Sequence, residues 1–234
     1  MDSIVCAHIY RFAHSQVVKI FFSIYIIVCL LSLTSEFASP SDLLIQSLID
    51  MSIPSLGLSI FSGIYIGTEF RNRTIQNQIS HGEKRSSILL MNFLMLIIVF
   101  VVLVFIYAFV PAFLFFLKSG NMGILSGYEE YGLWPQYFTR LCIPATLLTV
   151  ARASGLFIIP FLFKDTVRTI LTSIMYSLVV PMLTQSDRFQ YPYQYYWPGN
   201  IDISIDIAIV AISIIILFIA YYVALAFFKR AQFK

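Results

Sequence analysis

Residues 88–117 read ILLMNFLMLIIVFVVLVFIYAFVPAFLFFL, without a single charged side chain. The hydrocarbon core of a bilayer is about 30 Å thick and is crossed by about 20 apolar residues of α-helix. This stretch is therefore long enough to span a membrane with residues to spare, and we expect it to tilt or to project beyond the bilayer.

The whole chain shares this apolar character. Of its 234 residues, 59% are hydrophobic and 12% are charged, and the mean hydropathy is +0.85. Soluble domains carry about 25% charged residues. The composition predicts an all-α integral membrane protein with six transmembrane helices. These spans are expected at about 17–35, 43–66, 88–117, 141–163, 169–184 and 207–228. Every connection is too short to bury a core of its own, so 1–234 is predicted to be one domain.

The positions of the basic residues predict the orientation, because cytoplasmic loops carry an excess of Lys and Arg. Eleven of the 15 basic residues fall in the segments that would lie inside, three fall in outer loops, and Arg152 falls within a span. Both termini are thus expected in the cytoplasm, with the chain crossing the cell membrane several times. A cleaved leader over the first span is the alternative, but that apolar run is close to full spanning length.

Residues 1–16 are predicted to form an interfacial helix that lies on the membrane surface. One set of side chains, apolar except for a histidine, recurs at helical intervals, as is typical of an amphipathic helix. These side chains are Ile4, Val5, His8, Ile9, Phe12 and Ala13. A simple N-terminal extension of the first span is the alternative.

Several kinds of chemistry have no signature in this sequence. It contains no GxxxxGK[ST] phosphate loop and no HExxH zinc motif. Its cysteines, Cys6, Cys29 and Cys142, have no spacing that suggests a disulfide or a metal site. We expect neither an enzyme nor a bound cofactor. The net charge of +3 reflects membrane topology, and we expect no nucleic-acid partner.

Arg152 is the charged residue predicted to lie deepest in the membrane. It comes 12 residues before Lys164, about 18 Å along a helix, and helical spacing places it on the same face as Thr149. Charged residues inside membranes face the protein interior or a wet cavity. Two interpretations remain open: Arg152 lines a transport pathway, or it forms a buried ion pair with Asp50.

The second predicted span carries small residues at helical spacing, which is typical of close helix packing. These are Ser55, Ser59, Ser62, Gly63 and Gly67. Packing within the chain is the first interpretation, and an interface between subunits is the second.

Between the second and third spans lies the polar segment GTEFRNRTIQNQISHGEKRSS, residues 67–87. Ile75 and Ile79 are four residues apart, as on one ridge of a short helix, and Gly82 is suited to the left-handed turn that ends a helix. Such a helix could dock in a groove on a cytoplasmic partner. A charged loop that only marks orientation is the alternative.

This segment resembles the signature of type-2 ABC exporter permeases. The residues that match the family pattern are Glu69, Thr74, Ile75, Gly82, Arg85, Ile88 and Leu89. Two positions depart from it: Arg73 replaces a small residue, and Asn92 replaces a frequent lysine.

The resemblance implies a coupling helix from about Arg71 to Ser80, seated on a separate ABC ATPase. The residues implied in coupling are Glu69, Arg71, Arg73, Thr74, Ile75, Ile79, Gly82 and Arg85. Two ATPase subunits would supply the ATP and Mg²⁺ chemistry, and a second permease, identical or a related sibling, would complete the assembly. The chain is compact, and in this it resembles the permeases that export amphipathic or antimicrobial peptides. The resemblance therefore implies a bacterial exporter of such peptides.

The competing class is an ATP-independent membrane protein, either a secondary carrier or a structural subunit. A carrier is expected to show inverted repeats, broken helices at mid-membrane and an ionisable relay. The sequence has no evident internal repeat, and acidic residues are scarce within the predicted spans.

Overall fold

A computed structural model describes residues 10, 14–31, 43, 47, 52–119, 143, 146–184 and 203–230. Regular structure in these residues is helical, which confirms the all-α class. The helices are α1 (Gln16–Leu31), α2 (Ser52–Arg71), α3 (Thr74–Ser80), α4 (Arg85–Ser119), α5 (Ser154–Phe163), α6 (Thr166–Thr184) and α7 (Ile203–Arg230). A further helical stretch at 146–152 leads into α5.

Within the part of the chain that the structure describes, three helical segments are long and apolar enough to cross a membrane: Arg85–Lys118, Thr146–Phe163 and Val210–Lys229. The membrane character of the chain is thereby supported, but six spans are not confirmed. Gln16–Leu31 and Thr166–Val179 are shorter apolar segments, and the second is part of α6, which has 19 residues. Helix α2 has 20 residues, but its serines, its glycines and its charged last turn make it less apolar than those three.

The most extensive helix contact in the described residues joins α2 to α6. At Gly63 an added Cβ would stand 2.2 Å from Cγ1 of Ile170, and at Gly67 it would stand 2.7 Å from Cα of Thr166. Only glycine lets the two helices approach this closely. The order of these contacts makes the helices antiparallel, and the small residues of the second predicted span therefore pack within the chain.

Aromatic rings fill the space where α5 meets α4 and α7. Phe157 meets Phe93 and Phe100 edge to face, with ring centroids 5.5 Å and 6.1 Å apart. Further along, Phe161 and Phe228 lie 6.0 Å apart. Such edge-to-face pairs add to the area that the rings bury. They hold α5, α4 and α7 together beside the α2–α6 pair.

Some predicted features lie mostly or wholly outside the described residues. These include most of the interfacial helix, the outer segments around 120–142 and 185–202, and Asp50. Within the N-terminal part, Tyr10 and His14 are helical, and their rings stack with centroids 4.0 Å apart.

We expect Gly67→Ala to destabilise the folded protein, because its new Cβ would meet the backbone of Thr166. Overpacking of this kind costs about 1–3 kcal/mol. Unfolding by SDS in mixed micelles measures the effect. Ser59→Ala is the matched control on α2, since its hydroxyl bonds only the carbonyl of Ser55, at 2.7 Å, and its loss adds no volume. A Gly67→Ala protein as stable as the control would contradict the close approach.

Candidate functional site

The chain reverses between α2 and α3 through a tight turn. The amide of Asn72 donates a hydrogen bond to the carbonyl of Thr68 at 2.8 Å. The amide of Arg73 donates to the carbonyl of Phe70 at 3.2 Å. Arg73 then takes φ 57°, the left-handed conformation, immediately before α3 begins at Thr74. A residue with a Cβ adopts this conformation at a cost of about 1–2 kcal/mol.

Helix α3 packs its apolar ridge inward, against the bundle. Ile75 is fully buried in the hydrophobic core, and Ile79 is partly buried against that core. The outward side is polar: Asn77 on α3 is exposed, as are Arg71 at the end of α2 and Arg73 immediately before α3. The ridge that the sequence suggested for docking is therefore an internal anchor, and a partner would meet the polar face instead.

Gly82 ends α3 in the left-handed conformation that the sequence suggested, with φ 89°. Its amide donates a hydrogen bond to the carbonyl of Ile79 at 3.0 Å, and the amide of Glu83 donates to the carbonyl of Gln78 at 3.2 Å. This pair of bonds is the Schellman motif, which satisfies the last carbonyls of a helix. No atom lies within 4 Å of a Cβ at Gly82, so the backbone angle alone calls for glycine.

Two charged residues connect this turn region to the rest of the bundle. Glu69 is 6% exposed in the last turn of α2, where it lines a cavity shared with α1. Arg85, at the start of α4, donates a hydrogen bond from Nη1 to the carbonyl of Lys229, at 3.1 Å. That carbonyl belongs to the last turn of α7, where a cation is favourable. We call the region formed by residues 68–85 and the last turn of α7 the α3 end.

A second candidate site surrounds Arg152. The helix is interrupted at Ala153, and the hydroxyl of Tyr176 on α6 donates to the Arg152 carbonyl at 3.1 Å. A Cβ at Gly155 would fall 2.4 Å from the Tyr176 ring, so the ring lies directly over that glycine. Thr149 is buried and Arg152 is half-buried. A pair between Arg152 and Asp50 stays a prediction, because Asp50 is outside the described residues.

The predicted residues therefore form two groups. Glu69, Thr74, Ile75 and Arg85 belong to the α3 end, whereas Arg152 contacts Tyr176 of α6 and Thr149 is buried one turn before Arg152. Sequence reasoning missed Tyr176. The sequence did hold a sign of it, because Tyr176 places a hydroxyl within an apolar span, and a buried tyrosine hydroxyl usually finds a hydrogen-bond partner.

Comparisons of the chain with models of protein families, with curated proteins and with solved structures find no match.

Tyr176→Phe should lower the stability of the folded protein by about 1 kcal/mol, the usual net contribution of one hydrogen bond. The reason is that the Arg152 carbonyl, next to the helix break at Ala153, loses the Tyr176 hydroxyl as its hydrogen-bond donor. SDS unfolding provides the measurement. Tyr222→Phe is the matched control, because Tyr222 is 64% exposed on α7. Equal stability of the two variants would show that the Tyr176 hydroxyl does not support the break.

Proposed function

We propose that this chain is the membrane permease subunit of an ATP-driven exporter of the type-2 ABC kind. One observation carries the proposal: a short helix, α3, is anchored by a buried isoleucine between two long helices and turns a polar face outward. An isolated helix of this length is not stable in water, so packing must hold it in place. A segment needed only to join two helices has no need of such an anchor.

The surroundings of α3 suit it to transmit force. It packs against both α2 and α4, and Arg85 links the start of α4 to the last turn of α7. A displacement of α3 by a closing ATPase would therefore act on three helices at once. Because α2 packs tightly on α6, that motion would also reach the α2–α6 pair.

The wider assembly follows from this proposal. The chain has no phosphate loop, so ATP and Mg²⁺ would bind to two partner ATPase subunits at the α3 end, which we place in the cytoplasm with both termini. A second permease, most simply another copy of this chain, would complete the pathway in a bacterial cell membrane. The compact chain, without a large extra domain, is in keeping with an amphipathic or antimicrobial peptide as the exported substrate.

A secondary carrier is the second candidate, and the break beside Arg152 favours it. Carriers bind substrate and ions where helices are interrupted near mid-membrane. A half-buried arginine next to an interrupted helix at Ala153 is one such feature. Transport by the purified chain alone, driven by an ion gradient, would support this candidate over the exporter.

Arg73→Glu should abolish co-purification of the proposed ABC ATPase partner, because it reverses an exposed charge immediately before α3. Arginine and glutamate at position 73 both have to adopt the left-handed backbone conformation. The stability measured by SDS unfolding should therefore change little. Co-purification and ATPase activity in nanodiscs are the readouts.

Lys118→Glu is the control for that experiment. It makes the same charge reversal at an exposed position 33 residues along α4 from Arg85, about 50 Å away along the helix axis. This variant should keep the ATPase. An Arg73→Glu chain that also keeps the ATPase, and keeps its coupled activity, would refute docking through this face.

A further inference from the structure

A cavity of about 330 Å³ lies between the start of α1 and the last turns of α2. Small-molecule sites have volumes of about 300–1,000 Å³, so this space can hold part of an amphiphile. None of the residues in the Arg152 site lines it. The turn into α3 closes one end, where Asn72 and Thr74 line the wall.

The lining changes from apolar to polar along the axis of α2. Phe61 and Ile64 line the deep part, and Thr68, Glu69 and Asn72 line the part nearest the chain reversal. From Phe61 to its last residue, Arg71, the helix rises about 15 Å.

Helix α1 repeats this gradient in the opposite chain direction. Ser15, the residue before α1, lines the polar part, whereas Val18 and Phe21 on α1 line the apolar part, where the Phe21 and Phe61 ring centroids are 5.3 Å apart. The cavity is therefore amphipathic along the direction of the helices, as a lipid is.

Glu69 places a carboxylate in the polar part of this cavity. Its side chain is 6% exposed, so little bulk water reaches it. An ionised carboxylate has about four lone-pair sites on its two oxygens and accepts several donors at once. Hydrogen bonds from ammonium groups to carboxylates are shorter and stronger than those between neutral groups. The chemistry of this wall favours a ligand with N–H donors on a cation.

Two exposed cations are sequence neighbours of residues that line the cavity. Lys19 follows the lining residue Val18 on α1, and Arg71 precedes the lining residue Asn72 after α2. Basic side chains at a membrane surface attract lipid phosphates. A carboxylate inside with basic residues at the edge matches a zwitterionic headgroup whose ammonium enters while its phosphate stays outside.

We propose that this cavity binds a phospholipid with a primary ammonium headgroup, phosphatidylethanolamine, from the leaflet at the α3 end. The ammonium donates to the Glu69 carboxylate, the phosphate stays near Lys19 and Arg71, and an acyl chain lies against Phe21 and Phe61. The inference is independent of ATP coupling, since it uses only α1, α2 and the turn that follows.

Native mass spectrometry of the delipidated full-length chain tests the proposal. Phosphatidylethanolamine, phosphatidylcholine and phosphatidylglycerol of equal chain length are each added to the same micelles. Phosphatidylcholine keeps the phosphate but has no N–H donor, and phosphatidylglycerol has no ammonium. We expect phosphatidylethanolamine to bind about tenfold more tightly than the other two, the effect of one charge-assisted hydrogen bond.

Glu69→Gln should remove that preference, leaving the three lipids nearly equal. Glu83→Gln is the matched control, because Glu83 lies beyond α3 and does not line the cavity; it should bind as the original chain does. Ser15→Phe keeps the carboxylate but fills the polar end, and should lower the affinity for phosphatidylethanolamine.

Equal binding of the three lipids to the unsubstituted chain would overturn the proposal even if Glu69→Gln failed to fold. A preference that survives Glu69→Gln would overturn it as well. Because no ATPase is present, either failure would leave the proposed exporter function untouched, and loss of ATPase docking would leave lipid selectivity unchanged.

Discussion

The close approach of α2 to α6 is the contact on which the rest of the bundle depends. Lipid tails are as apolar as leucine, so membrane helices associate through close packing and interhelical contacts more than through burial from water. Gly63 and Gly67 remove the side chains that would keep α6 away. On the same helix, Ser59 and Ser62 donate to carbonyls of α2 itself, at 2.7 Å and 3.2 Å, so these buried hydroxyls do not require partners from another helix.

The α3 end follows from this contact. Once α6 fixes the last turns of α2, the left-handed residue Arg73 sets the direction of the chain, and Ile75 enters the core one residue after α3 begins. The Schellman turn at Gly82 then leads into α4, whose first residue, Arg85, reaches the last turn of α7. Each step leaves the next segment little conformational freedom. Buried Ile75, the turn at Gly82 and the Arg85 hydrogen bond thus hold this polar segment against the bundle.

The sequence predicted those features that depend on local spacing. The uncharged run at 88–117 falls within α4, and Gly82 has the expected left-handed angle. The spacing of Ile75 and Ile79 showed that they share a helix face, but not whether that face meets the bundle or a partner, because periodicity does not identify what covers a surface. The contact of Tyr176 with the Arg152 carbonyl joins residues 24 positions apart, and no local pattern encodes it.

Protection of a cysteine on the polar face of α3 is the most direct test of the coupling role. Asn77→Cys, in a background with the three native cysteines replaced, would be labelled with a membrane-impermeant maleimide in inside-out vesicles. The account predicts rapid labelling of the chain alone and strong protection when the ATPase subunits are co-expressed. Equal labelling of the Asn77→Cys chain with and without the ATPase, in vesicles where that ATPase is bound, would contradict it.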